Sequence, residues 1–198
     1  MFRSILKCIA CCLIVGALFF LAKASEMALK AIMGQYFLND AWEKTLHSGT
    51  QTKPWESADF EVVGELKVPR LGLSRIVLNS VSGEAMAWGI GTLDTDVSKQ
   101  SPLILAGHRD THMEFMSKLH VGDRVSFRLA NGSLKSFEIV KSMVLNSPEL
   151  QLEDQFEDQK TLILTTCWPF NANQSGPERY VMIGVNPSVN WGQRPGVK

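Results

Sequence analysis

From Phe60 onward the chain alternates short apolar runs with turn signals: "EVVGELKVP", "SRIVLNSV", "PLILAGH", "DRVSFRLANGSLKSFEIVKSMVL", "KTLILTTC" and "ERYVMIGV". Runs of this length, rich in Val, Ile and Leu and bounded by Gly, Pro, Asn or Asp, read as strands. The sharpest is a hairpin, with Val125, Phe127 and Leu129 alternating, Asn131-Gly132 as the turn, and Phe137 and Ile139 resuming the alternation. At least six such strands over about 130 residues, with little helix between them, predict an all-β domain. The expected form is a closed or nearly closed β-barrel of about 7–8 strands. "EFMSKLH" (114–120) predicts one short helix, and no internal repeat breaks the pattern.

The N-terminal texture differs. Arg3 and Lys7 precede "CIACCLIVGALFFLA", fifteen residues without a charge, closed by Lys23; counted from Ile5 the stretch is eighteen residues. That length is near the lower limit for a bilayer span, and Lys7 at its end can snorkel to the headgroups. Ala22-Lys23-Ala24 fits a signal-peptidase site, the competing reading. The uncleaved anchor (1–23) is preferred because the pattern continues as an amphipathic helix (24–46), where Ala24, Met27, Ala28, Ala31, Gln35, Leu38, Ala41 and Trp42 recur at helical spacing. "HSGTQTKPWESADF" then reads as a linker (47–59), followed by the barrel (60–190) and a tail (191–198). The basic flank keeps the N-terminus in the cytoplasm and sends the barrel to the other side.

Composition narrows the function. Twenty basic and twenty acidic residues cancel, and no basic stripe marks a nucleic-acid binder. Cys8, Cys11 and Cys12 lie within the apolar segment, so only Cys167 belongs to the exported domain. Outside the cytoplasm structural cysteines tend to pair, which leaves Cys167 as a buried hydrophobe or a thiol kept for chemistry.

Two strands end alike: "LILAGH" closes on His108 and "LILTTC" on Cys167. If they run parallel, imidazole and thiol share one rim. If the strand opening Glu178-Arg179-Tyr180 returns antiparallel to the second, Arg179 joins them. Thiolate nucleophile, proton-moving imidazole and planar cation suit acyl transfer through a thioester. Each also has a plainer reading: Cys167 as a core residue, His108 as a turn residue, Arg179 paired with Glu178 or Asp110. His108 and His112 are four apart, but the glycine before His108 and the strand leading into it argue against a helical metal pair. Asp110, Thr111 and His112 remain as rim contacts.

"AGHRDTHMEFMSKLHVGDRV", "LILTTCWPF" and "GPERYVMIGV", in that order, resemble a sortase, most closely the Gram-negative class GN group. "KPWESAD", "LKVPRLG" and "SVSGEAMAWGIGTL" extend the resemblance over nearly the whole chain. It implies a membrane-anchored cysteine transpeptidase that cuts an LPxTG-like C-terminal sorting signal of a secreted partner and passes the acyl group to an amine, whose identity the chain does not give. It implies Cys167 as nucleophile, His108 as general acid and base, and Arg179 as the group holding the substrate carbonyl or its oxyanion. Thr166, with Trp168 beside it, would shape the substrate site. Ile163 departs from the first position of the T-L-x-T-C motif. A single-pass protein of the inner (cytoplasmic) membrane, its barrel periplasmic, would follow, with no cofactor or metal. The rivals are a cysteine endopeptidase on the same scaffold, a silent peptide-binding barrel, and a metal module using His108, His112 and Cys167.

Overall fold

The computed structural model describes residues 2–92, 97, 102–146, 161–172, 174 and 176–187. One helix, α1, runs over Phe2–Ser48. It spans both the expected anchor and the helix expected after it. The chain divides into two compact units, Met1–Phe37 and Leu38–Lys198. In the first, Ile5, Leu13, Leu18, Phe19 and Leu21 are all exposed, and the helix is long and apolar enough to cross a membrane.

The second unit begins with the last turns of α1. Leu38, Ala41, Trp42 and Thr45 are buried, the spacing of one helix face. Leu38, Ala41 and Trp42 join Ala58, Phe60, Val62, Ile76, Leu78 and Ala85 in a satellite core. Gly49 ends the helix: its φ of +71° suits a residue without Cβ, and its N–H donates to the Thr45 carbonyl at 2.9 Å. Residues 47–59, expected as a linker, hold no long element yet are tied down. Val62 N–H donates to the Thr52 carbonyl, Lys53 Nζ to the Ala58 carbonyl, and Trp55 packs edge-on against Phe60 and Trp88.

Eight strands follow: β1 (Val62–Val68), β2 (Leu73–Leu78), β3 (Ile90–Thr92), β4 (Leu103–Ala106), β5 (Arg124–Leu129), β6 (Leu134–Asn146), β7 (Thr161–Cys167) and β8 (Glu178–Val185). They close a barrel in the order β1-β2-β3-β4-β7-β8-β6-β5. A short helix, α2 (Gly83–Trp88), links β2 to β3. Its N-cap is Ser82, whose hydroxyl accepts from Ala85 N–H at 3.0 Å. The predicted helix at 114–120 is a 3-10 turn over Glu114–Lys118 that buries Phe115 and Met116.

The β5–β6 hairpin is longer than a two-residue Asn-Gly turn. Gly132 N–H donates to the Leu129 carbonyl, Leu129 N–H to the Ser133 carbonyl, and only Gly132 has a positive φ, +80°. This is a turn followed by a left-handed glycine, the three-residue solution to the strands' twist.

Inside the barrel, Val63, Leu66, Leu105, Phe127, Phe137, Ile139, Leu162, Leu164 and Met182 form one core. The interior is tight: a Cβ on Gly64 would fall 2.2 Å from the Phe127 ring. The tail expected at 191–198 lies outside the described residues.

The buried end of α1 has a testable consequence. A fragment starting at Leu38 is expected to exceed one starting at residue 50 in stability by at least about 3 kcal/mol, since Leu38 and Trp42 leave large voids. Urea midpoints of the two fragments measure it.

Candidate active site

The site is built by strand pairing. β4 and β7 run parallel, with Leu103 opposite Leu162, Ile104 opposite Ile163, Leu105 opposite Leu164 and Ala106 opposite Thr165. The ladder ends at Ala106, two residues before His108, as Thr165 is two before Cys167. β8 runs antiparallel to β7, with Ile163 opposite Ile183, Thr165 opposite Val181 and Cys167 directly opposite Arg179. β6 continues the sheet, with Leu145 opposite Arg179 and Met143 opposite Val181.

Because side chains alternate along a strand, these pairs stack into rows on one face. The end row of paired residues is Cys167, Arg179 and Leu145. Behind it lie Ala106, Thr165, Val181 and Met143, and behind those Ile104, Ile163 and Ile183. Neighbouring strands stand about 4.8 Å apart, so Cys167 and Arg179 lie one strand spacing from each other. Leu162, Leu164 and Met182 point the other way into the main core, whereas Ile163, Val181, Ile183 and Val185 form a separate cluster. The rows therefore lie on the outer face of the barrel. Ile163, Val181 and Ile183 are nonetheless fully buried there, and the Thr165 hydroxyl is buried without a partner among the described residues.

His108 is exposed, and its ring has no hydrogen-bond partner among the described residues. Its backbone is fixed: the His108 carbonyl accepts from Thr111 N–H at 3.3 Å and Met113 N–H at 3.0 Å. The chain approaches closely here, because a Cβ on Gly107 would meet Met113 Cγ at 2.7 Å. Cys167 is a free, half-buried thiol. Arg179 Nη1 donates to the carbonyls of Gly176 (3.0 Å) and Glu178 (2.9 Å), while Nε and Nη2 have no partner among the described residues. It pairs with neither Glu178 nor Asp110 side chain; Asp110 is bound by Arg109.

Thr166 and Trp168 are not on the Cys167 face. Being one residue either side of Cys167, they point inward by the same alternation. Thr166 is buried and its hydroxyl donates to the Gly107 carbonyl at 2.8 Å, pinning β7 to the residue before His108. Trp168 stacks on Tyr180 at 5.3 Å and meets Phe170 edge-on at 5.4 Å. Phe170 and Tyr180 in turn pack against the main core, so the three rings close the barrel end.

One neighbour, Arg109, escaped the sequence reading. Arg109 is 8% exposed, and its guanidinium donates to both Asp110 carboxylate oxygens and to the carbonyls of Pro169 and Ala172. Its hydrogen bond to Asp110 holds its charge firmly, and the Cys167 sulfur adds a smaller pull in the same direction. Reciprocally, the Arg109 hydrogen bond holds the Asp110 carboxyl below the usual range. His112 Nε2 faces the Ala87 carbonyl at 3.1 Å, so that nitrogen carries the proton; burial pushes the imidazole below its ordinary pKa. The segment from Arg109 to Met113 is turn rather than helix. No group of three metal-ligating side chains is found among the described residues.

Known proteins share this fold. The sequence model of the Sortase domain family matches residues 66–186. Sortase D of Bacillus subtilis is 26% identical over 123 residues, which are 61% of this chain and 62% of that relative's length. A Sortase D5 transpeptidase of Clostridium perfringens superposes with a TM-score of 0.60 at 17% identity, covering 78% of this chain and 98% of that one. Sortase A of Corynebacterium diphtheriae gives 0.57 at 13% identity over 71% and 67% of the two chains. Sortase C of Clostridium perfringens, solved with the C-terminal cell wall sorting motif, gives 0.55 at 16% over 81% and 90%. The likeness to these solved structures is one of fold: the closed eight-stranded barrel.

Thr166→Val keeps the shape and deletes the donor to Gly107. Its expected cost is about 1–2 kcal/mol, because a buried carbonyl loses its partner. Equilibrium urea unfolding measures that, and Thr166→Ser, which keeps the donor, should lose less.

Proposed function

The chain belongs to the sortase family, and on that premise we propose that it is a cysteine transpeptidase cutting a C-terminal sorting signal. The observation that carries this reading is the end row, in which Cys167 pairs directly with Arg179 on one side and follows the register of the His108 strand on the other. In the proposed reaction the Cys167 thiolate attacks the scissile carbonyl carbon, and the carbonyl electrons move to oxygen. Arg179, with two nitrogens uncommitted among the described residues, donates to that oxyanion. Collapse restores the carbonyl, breaks the C–N bond and expels an amine that takes its proton from His108. An incoming amine then attacks the thioester, gives its proton back to His108, and leaves the thiolate free. Thr166 and Trp168 act from the inner face, holding the two strand ends in line.

The related sortase C, solved with the C-terminal cell wall sorting motif, supports an LPxTG-like sorting signal as the substrate class here. The exposed apolar part of α1 supports a membrane-anchored enzyme acting on a partner confined to the same surface, where effective concentration replaces affinity. The class GN assignment, with an inner-membrane anchor and periplasmic barrel, rests on the resemblance of the motifs around His108, Cys167 and Arg179.

The full chain in detergent, incubated with an LPxTG-like peptide, is expected to gain the mass of the peptide's N-terminal acyl portion. Cys167→Ala should gain nothing. An adduct on that variant, or none on the parent across a panel of sorting signals, would overturn the reading. Arg179→Lys is expected to form adduct roughly 100-fold more slowly, since a point charge replaces a planar donor fork; stopped-time mass spectrometry gives the rate.

A further inference from the structure

Arg109 is the most heavily bonded side chain beside the candidate site, and the acyl-transfer scheme above makes no use of it. It stands next to His108 in sequence, yet two of its acceptors belong to the loop that follows Cys167. Nη1 donates to the Pro169 carbonyl and Nη2 to the Ala172 carbonyl, both at 2.7 Å. Nε and Nη2 grip the two oxygens of Asp110 at 2.7 and 2.8 Å. Four hydrogen bonds thus converge on a side chain that is 8% exposed, while Asp110 itself is 65% exposed. A buried cation is tolerated only when paired and fully bonded, and here its pairing joins two segments from distant parts of the chain.

Those segments are the two that carry the reacting groups. Above Ala106 the β4 strand has no further ladder partner, so His108 sits in a turn. Above Cys167 the β7–β8 ladder continues by one bond, Trp168 N–H to the Glu178 carbonyl at 3.1 Å. Thr166 bonds the two strands one residue below the end row, and Arg109 bonds them one to two residues above it. His108 and Cys167 are therefore bracketed.

We propose that Arg109 is a positioning residue: its guanidinium clamps the loop after Cys167 to the turn after His108 and so holds imidazole and thiol in the alignment acyl transfer needs. The role is geometric, because Asp110 neutralises the charge locally and both remaining acceptors are neutral carbonyls. Lysine cannot substitute, since one ammonium cannot hold a carboxylate in a fork and reach two carbonyls on its far side. The catalytic part of this inference rests on the transpeptidase reading; the clamp itself does not.

The test compares the full-length parent, Arg109→Lys and Asp110→Asn in detergent, with two readouts. The first is amide hydrogen exchange, which needs no substrate. In Arg109→Lys, residues 168–172 and 109–111 should exchange at least about tenfold faster while β1 and β5 keep their protection. The second is adduct formation from the sorting peptide: kcat should fall roughly 10–100-fold with KM within about twofold, as for a reacting pair displaced by a fraction of an ångström. Asp110→Asn, which leaves the two carbonyl bonds in place, should lie between parent and Arg109→Lys on both. Unchanged exchange in Arg109→Lys overturns the clamp. Faster exchange spread equally over β1 and β5 reduces Arg109 to general stability and also overturns it. Faster local exchange with undiminished kcat keeps the clamp and overturns its positioning role. If the parent forms no adduct the transpeptidase reading fails, and with it that role, while exchange still decides the clamp.

Discussion

Everything at the candidate site follows from one pairing, that of β4 with β7 in parallel. Antiparallel neighbours would put the ends of "LILAGH" and "LILTTC" at opposite ends of the barrel. Parallel neighbours in the observed register put them at the same height. Parallel strands cannot be joined by a tight turn, so the chain travels through the 3-10 turn, β5 and β6 before β7 can lie beside β4. Closure of the barrel makes that detour possible, because β1 meets β5 and β6 meets β8, leaving β7 one place to go. The two strand ends are thus brought to one side of the barrel by the whole sheet.

Two buried faces make the sheet around Cys167 stiff. The inner one is the ordinary barrel core. The outer one, Ile163, Val181, Ile183 and Val185, is just as inaccessible, which is why "LILTT" and "YVMIGV" read as continuous apolar runs rather than as alternation. A strand packed on both sides has little freedom to twist. Cys167 sits where this packing stops, three residues beyond the last fully buried pair, Leu164 and Met182.

The strands were legible because apolar runs and turn residues punctuate them, and the shared endings of "LILAGH" and "LILTTC" belong to strands that do run parallel. Four things were not legible. β3 is three residues long, "IGT", too short to show a period, and α2 is six residues set by a Ser82 cap. The segment 47–59 has a linker's composition, yet it is held by the packing of Trp55 on Phe60 and Trp88, which composition does not encode. Arg109 looks like any charged loop residue, since its partners at 169 and 172 are backbone carbonyls and leave no trace in side-chain identity. The inward direction of Thr166 and Trp168 is different: counting alternate residues from Leu164 would have found it.

The last strand, β8, lies between β7 and β6 and carries Arg179. Ribosomes deliver it after every other part of the barrel. Until residues 178–185 have been made, β6 and β7 share no neighbour, the cylinder is open along one seam, and Cys167 has no arginine opposite. A nascent chain therefore carries Cys167 well before it carries the residue that pairs opposite it. The order of synthesis makes that pairing among the last the barrel can form.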